Sequence, residues 1–306
     1  MTTPASAFLP FSGHLSVSVR SRDTDLVRRV EGVFSAGALP LATATEKPPV
    51  VLFEVEMNSA DDGGGYTVWV GGADVFRSAS RDTILWFIEG QVTERLTKRL
   101  RAYHLFHGGA VRFKGRGALL PGESGAGKST TVAAMALSGA EYLSDEVVVV
   151  DPELRAHPFP RVIGLKQGGW EAVKSAFPDL VRSGAVSDGA GAGAPVHMRY
   201  LRPPVVAAGG GDAPVKIDCI ILPHREPGGK AQLTRVPRSQ ALTTLMTQSL
   251  DLPLWRRPGF EVIMKLVQQA DCYSLTVPDL PEVIAALHSL PASGEAAASG
   301  KSLSLT

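Results

Sequence analysis

The sequence of 306 residues holds only two cysteines, Cys219 and Cys272, each inside an apolar run. That scarcity argues against a disulfide framework or a zinc site, and both thiols read as small core residues. There is no excess of one charge: 31 Lys and Arg stand against 30 Asp and Glu, a formal net charge of +1. A broad electrostatic footprint for nucleic acid is therefore not expected, although a local basic groove is not excluded. No window approaches the roughly 18 uninterrupted apolar residues that cross a bilayer. Residues 1–19 carry no early lysine or arginine and no long apolar core, so a secretory leader is not expected either. The expectation is a chain with no membrane partner in a reducing, cytoplasmic compartment. No internal repeat is visible. What remains is 44% hydrophobic and 20% charged, which is a globular composition with capacity for one large domain or two ordinary ones.

One stretch names a chemistry. Gly122-Glu123-Ser124-Gly125-Ala126-Gly127-Lys128-Ser129 is a complete G-x-x-x-x-G-K-[ST] phosphate loop. The apolar Ala118-Leu119-Leu120 precedes it as a strand, and Thr130 to Leu137 follows as a helix. Glycine lets backbone N–H groups turn inward around phosphate oxygens, and the helix points its positive end at them. In such a loop Lys128 reaches the terminal phosphates and the Ser129 hydroxyl ligates Mg²⁺, so ATP with Mg²⁺ is the expected ligand.

Around the loop the sequence reads as α/β with a mixed sheet. Strands are predicted at 15–19, 50–55 and 66–70, with a helix over 26–34. From Ile84, the residues Ile88, Val92, Leu96 and Leu100 recur every four positions and predict an amphipathic helix. Arg95, Lys98, Arg99 and Arg101 crowd its end, as cations that complement a helix C-terminus do. A hairpin signal at 110–120 gives the strand feeding the phosphate loop an antiparallel neighbour, unlike the usual alternation of parallel strands and helices. Later elements are a strand at 216–222, helices at 241–250 and 260–270, a strand at 273–277, and a last helix with Pro281 in its first turn. Residues 183–195 and 209–211, rich in small residues, read either as flexible loops over an active site or as surface insertions. The expected division is an N-terminal α/β module over 1–103, a phosphate-loop domain over 104–290 and a disordered tail over 291–306.

The acid pair Asp145-Glu146 starts seventeen positions beyond Lys128. A helix of about ten residues carries the chain some 15 Å away. Gly139 can end it, and a strand of about five residues returns some 16 Å. Out and back nearly cancel, which places the acids beside the phosphates, one to hold Mg²⁺ and one to accept a proton. Four valines follow the pair, so its strand is expected to be buried on both faces.

Phosphate loop, short helix and paired acids together resemble the HPr kinase/phosphorylase-like group, related in fold to ATP-dependent phosphoenolpyruvate carboxykinase. His107-Gly108, fifteen positions before Gly122, matches that group's His-Gly. The resemblance covers Phe106 to Asp151 well and the C-terminal remainder loosely. It implies a P-loop kinase domain with mixed sheet, Asp145 as general base, Glu146 as magnesium ligand where the family usually has Asp, and His107 near the phosphates. His107 reads equally as a structural histidine. The family's E-x-R-G-x-G signature is missing, and His157-Pro158-Phe159-Pro160-Arg161 stands there instead. That run looks like the HPr kinase-related proteins found beside peptide-modification systems, and it puts phosphorylase activity and HPr as substrate in doubt. Arg161 and Lys166 read either as charge-stabilising groups or as surface cations, and Arg225 loosely matches a family arginine.

The catalytic set so expected is Asp145, Lys128, His107 and Arg161. The nucleotide set is Gly122 through Thr130, that is Gly122, Glu123, Ser124, Gly125, Ala126, Gly127, Lys128, Ser129 and Thr130, and the metal set is Ser129 and Glu146. The reaction expected is transfer of the ATP γ-phosphoryl group to a hydroxyl, most simply a seryl group of a peptide, protein or small molecule. An ATPase or a nucleotide-binding regulatory or peptide-binding protein are the rivals. Relatives in the group assemble into oligomers, so a homo-oligomer is also among the expectations.

Overall fold

The computed structural model describes residues 4–39, 47–59, 64–187, 198–204, 214–252 and 257–291. The described residues form a mixed α/β structure with three sheets and eight helices. The first sheet runs in the order β1 (Ala5–Phe11), β2 (Leu15–Ser21), β3 (Val50–Met57), β4 (Tyr66–Val70), β5 (Ala73–Ser78). All its pairs are antiparallel except β2 with β3. The helices Thr24–Val33 and Arg81–Thr97 pack against it. The first is capped by Asp23, whose carboxylate accepts from the Asp25 and Leu26 N–H groups, and the second by Ser80. The four-residue period over 84–96 thus marks a real helix, which stops short of Leu100.

The second sheet carries the phosphate loop. Its strands are β6 (His104–Phe113), β7 (Arg116–Pro121), β8 (Glu141–Ser144), β9 (Val147–Val150), β10 (Arg155–His157), β14 (Val215–Arg225), β15 (Gln232–Arg235) and β16 (Asp271–Val277). The order is β10-β9-β6-β7-β14-β16-β15, with β8 also on β6. β7, β14 and β16 are mutually parallel, whereas β6 runs antiparallel to β7 as the hairpin signal predicts. Lys114 and Gly115 make the two-residue turn between them, both with positive φ (51° and 74°), the type I′ pattern that matches strand twist. A third, three-stranded sheet holds β11 (Ile163–Lys166), β13 (Met198–Leu201) and β12 (Ala185–Ser187).

The second sheet is buried on both faces. Along β9, Val147 and Val149 join one apolar cluster and Val148 and Val150 the other, as the valine run predicts. Leu119 of β7 faces the second cluster, while Ala118 and Leu120 face the first. The helices Arg238–Gln248 and Arg257–Gln269 cover one side. The helix Lys128–Leu137 covers the other, and its alanines let it approach so closely that a Cβ at Gly109 would lie 2.3 Å from Val132 Cγ2. The first cluster also takes in Val17, Leu26 and Ile88 of the N-terminal module, so apolar contact is continuous across the 103/104 boundary.

Several elements differ from expectation. The acids are not inside one strand: Asp145 and Glu146 form the bend between β8 and β9. Residues 183–187 of the small-residue stretch complete the helix Pro178–Gly184 and form β12. Glycine and serine there end a helix rather than make a loop. Residues 188–195, 209–211 and the tail from 292 lie outside the described residues. No helix among the described residues is long and apolar enough to cross a membrane.

Candidate functional site

The phosphate loop begins where β7 ends, and β7 is held firmly. Arg116 at its start is buried and donates to the Asp218 and Asp271 carboxylates at 3.0 and 2.8 Å. Gly125 and Gly127 then turn the backbone in the left-handed region, with φ of 92° and 96°. At Gly127 a Cβ would also approach Val277 Cγ1 to 3.3 Å. Gly127→Ala is expected to cost about 1–2 kcal/mol in stability and to weaken nucleotide binding, as denaturant melts with and without ATP would show.

Lys128 opens the helix and is buried. Its Nζ donates to the Glu123 carbonyl at 2.7 Å, so the ammonium lies folded across its own loop. Burial lowers its pKa, and the nearby Lys166 adds to the effect while Glu146 opposes it. Lys166, from the end of β11, donates from Nζ to Ser124 Oγ at 2.8 Å. A second cation thus reaches the phosphate loop from a separate sheet.

The return path to the acids follows the spacing argument. Ala140 N–H donates to Met135 O and Gly139 N–H to Ala136 O, with Gly139 left-handed at φ 96°. This Schellman motif ends the helix just after Ser138 and starts β8. At the bend, Ser144 Oγ donates to Val147 O at 2.7 Å and Gly108 N–H donates to Glu146 O at 3.1 Å. The bend is therefore tied to β6, beside His107.

These parts meet at one pocket of about 360 Å³, within the range of small-molecule sites. The loop residues Ser124, Gly125 and Gly127 to Thr130 line it together with Glu146, His107, Lys166 and Arg225. His107 Nδ1 lies 3.1 Å from Gln248 Oε1, and its Nε2 lies 3.7 Å from Glu146 Oε1. Val277 and Asp279 close the side beyond β16.

Asp145 and Arg161 do not line the pocket. Both lie behind its wall, with side chains only 1% and 2% exposed. Arg161 Nη1 donates to Asp145 Oδ1 at 2.9 Å, and Gly164 N–H donates to Oδ2 at 2.8 Å. Tyr142 Oη shares its one proton between Oδ1 at 3.0 Å and the Arg161 carbonyl at 2.8 Å. Oδ2 keeps spare acceptor capacity and sits against Gly164, which itself lines the pocket. Burial pushes the Asp145 carboxyl up to about 6; Arg161 pulls it down, the Glu146 charge raises it, and the Gly164 and Tyr142 hydrogen bonds lower it. Arg161, read from sequence as a stabiliser of transferred charge or a surface cation, is a buried structural cation. Burial alone would lower its pKa, but the carboxylates of Glu89, Asp145 and Glu146 hold it well above the usual arginine range.

Sequence reasoning missed two contributors from the N-terminal module. Glu89 Oε1 lies 2.6 Å from Arg161 Nε, a charge contact whose direction does not make it a hydrogen bond. Trp86 lines the pocket. Both sit on the helix Arg81–Thr97, three residues apart and so on one face. A carboxylate next to Ile88 in an apolar stripe was the legible sign of Glu89. Nothing in the sequence connected Trp86 to a loop thirty-six positions later.

The Ser129 hydroxyl and the Glu146 carboxylate share the pocket. No group of three or more His, Cys, Asp or Glu arranged for a metal occurs among the described residues. A Mg²⁺ that arrives on a triphosphate needs only one or two protein oxygens, and this donor pair fits that demand. No protein-family model matches the sequence, and a search of curated proteins finds no match. The functional reading therefore rests on the site itself.

Proposed function

We propose that this chain is an ATP-dependent kinase of HPr kinase-like fold that transfers the γ-phosphoryl group to a hydroxyl acceptor. The observation that carries this reading is the convergence of an intact phosphate loop, the acid bend and His107 on one pocket. The acceptor oxygen attacks the γ-phosphorus, the bond from phosphorus to the bridging oxygen breaks, ADP leaves, and the hydroxyl proton passes to a base. Phosphoryl transfer asks the protein mainly for alignment and charge neutralisation. Lys128 and Lys166 supply positive charge at the loop, and Trp86 with Met198 lines the pocket where an acceptor would enter. Mg²⁺, held by Ser129 and Glu146, would neutralise phosphate charge when bound.

The base is assigned to Asp145 through Oδ2. A carboxyl near pKa 6 accepts a proton well at neutral pH. One observation favours a second assignment: His107 lines the pocket, whereas Asp145 does not and contributes no surface to it. His107→Gln separates the two. With Asp145 as base, this variant retains transfer within about tenfold; with His107 as base, it loses about 10²-fold or more.

The test of the function is incubation of the protein with ATP labelled in the γ position and a cell extract, followed by identification of what acquires the label. Label in a hydroxyl ester supports the kinase. Release of phosphate without a labelled product favours an ATPase, and tight ATP binding without turnover favours a nucleotide-binding regulator; either overturns the reading.

A further inference from the structure

A second cavity, of about 650 Å³, lies in the N-terminal module, away from the phosphate loop. Its walls are Arg95, Lys98, Arg99 and Arg101, and its apolar lining is Leu15, Pro49 and Val51. The sequence reading made these cations a complement to the helix C-terminus, but the structure gives them uneven duties. Arg95 donates to the Gln91 side chain at 2.6 Å and lies over the Phe53 ring, and Lys98 is paired with Glu94 at 2.6 Å. Arg101 donates from Nε to the Lys98 carbonyl at 3.3 Å. The Arg99 guanidinium has no partner among the described residues, and both Arg99 and Arg101 are exposed. Four cations converge on one concavity whose lining holds no carboxylate among the described residues, and Lys98 alone of the four is paired with an acid, Glu94. An anion there would relieve their mutual repulsion.

We propose that this cavity is a docking site for an acidic peptide segment, one that sets carboxylates beside an apolar side chain. The apolar lining of Leu15, Pro49 and Val51 favours a peptide, whose aliphatic side chains can fill it beside the cations, over a polyphosphate, which has none. The lining strands are already paired, Ser16 with Val50 and Val17 with Val51, so recognition falls to side chains and not to strand addition. The cavity uses no residue of the phosphate-loop pocket, and so this inference stands or falls independently of the kinase reading.

Fluorescence anisotropy of the full chain with a labelled peptide of alternating glutamate and leucine tests it. Binding is expected at about 50 mM salt and is expected to weaken severalfold at about 300 mM, since exposed charges are screened. The double variant Arg99→Glu/Arg101→Glu is expected to lose about tenfold or more in affinity, with an unchanged urea melt as the sign of an intact fold. Serine in place of leucine in the peptide is expected to weaken binding as well. Equal affinity of wild type and double variant overturns the site. Equal affinity for the leucine-free peptide, or tighter binding of single-stranded DNA at the same salt, overturns the peptide assignment.

Discussion

Asp145→Asn is expected to lower phosphoryl transfer by about 10²–10⁴-fold, the range for loss of a general base, while ATP affinity stays within severalfold. The split follows from placement. Asp145 touches Arg161, Tyr142 and Gly164 but lines none of the pocket, so the contacts available to phosphates survive the change. Asparagine keeps the shape and can accept from Arg161 and Tyr142 with its oxygen. Its NH₂ then faces the Gly164 N–H, donor against donor, which adds a modest loss of stability. A pH series distinguishes a base from a structural group. The folded carboxyl, near 6 against an ordinary 3.8, holds its proton more tightly than the unfolded one. Ionisation therefore works against folding, and this group's contribution to stability falls as pH rises from 3.8 through about 6. Wild-type transfer should rise over the upper part of that window, and the asparagine variant should show neither trend. Near-normal turnover in Asp145→Asn would remove Asp145 as base and leave His107.

The local parts of this site were legible because their signals are local. A phosphate loop between an apolar strand and a helix needs only adjacent residues, and the structure has it. The distance from Lys128 to the acids could be derived because a helix and a strand have fixed rise, and the Schellman turn at Gly139 supplied the reversal. What the pair does after arriving was not legible. Bringing one acid to the pocket and one behind it depends on a bend between β8 and β9, whose geometry is set by Ser144 and by β6. Arg161 was read as solvent-facing or substrate-facing because nothing nearby in sequence pairs with it; its partners come from residues 89 and 145. Long-range ion pairs leave no periodicity. The short strands β10 to β13 and β15 were missed for a related reason: three or four residues are too few to display alternation.

Arg161→Met is expected to carry the largest stability cost of any single change in the site, about 3–5 kcal/mol at neutral pH. Methionine fills comparable space with hydrocarbon, so the loss is electrostatic and not a cavity. The guanidinium lies between Glu89 and Asp145, both almost fully buried, with Glu146 Oε2 at 4.0 Å. The Tyr200 ring lies 5.9 Å from it. Without the cation, two carboxylates remain in a poorly solvated space, and protonation is their main relief. The deficit should therefore shrink as pH falls, which urea melts at neutral and acidic pH can measure. Adding Glu89→Gln to Arg161→Met should recover part of the loss, because it removes one of the stranded charges, and the double-mutant cycle gives the coupling directly. Strictly additive effects would show that the contact between Glu89 and Arg161 carries no energy. A strong coupling has a consequence for the kinase reading, since Glu89 belongs to the helix that also brings Trp86 to the pocket. Through Arg161, that helix is fastened to the proposed base, and loosening it should disturb the acceptor side of the pocket and the charge on Asp145 together.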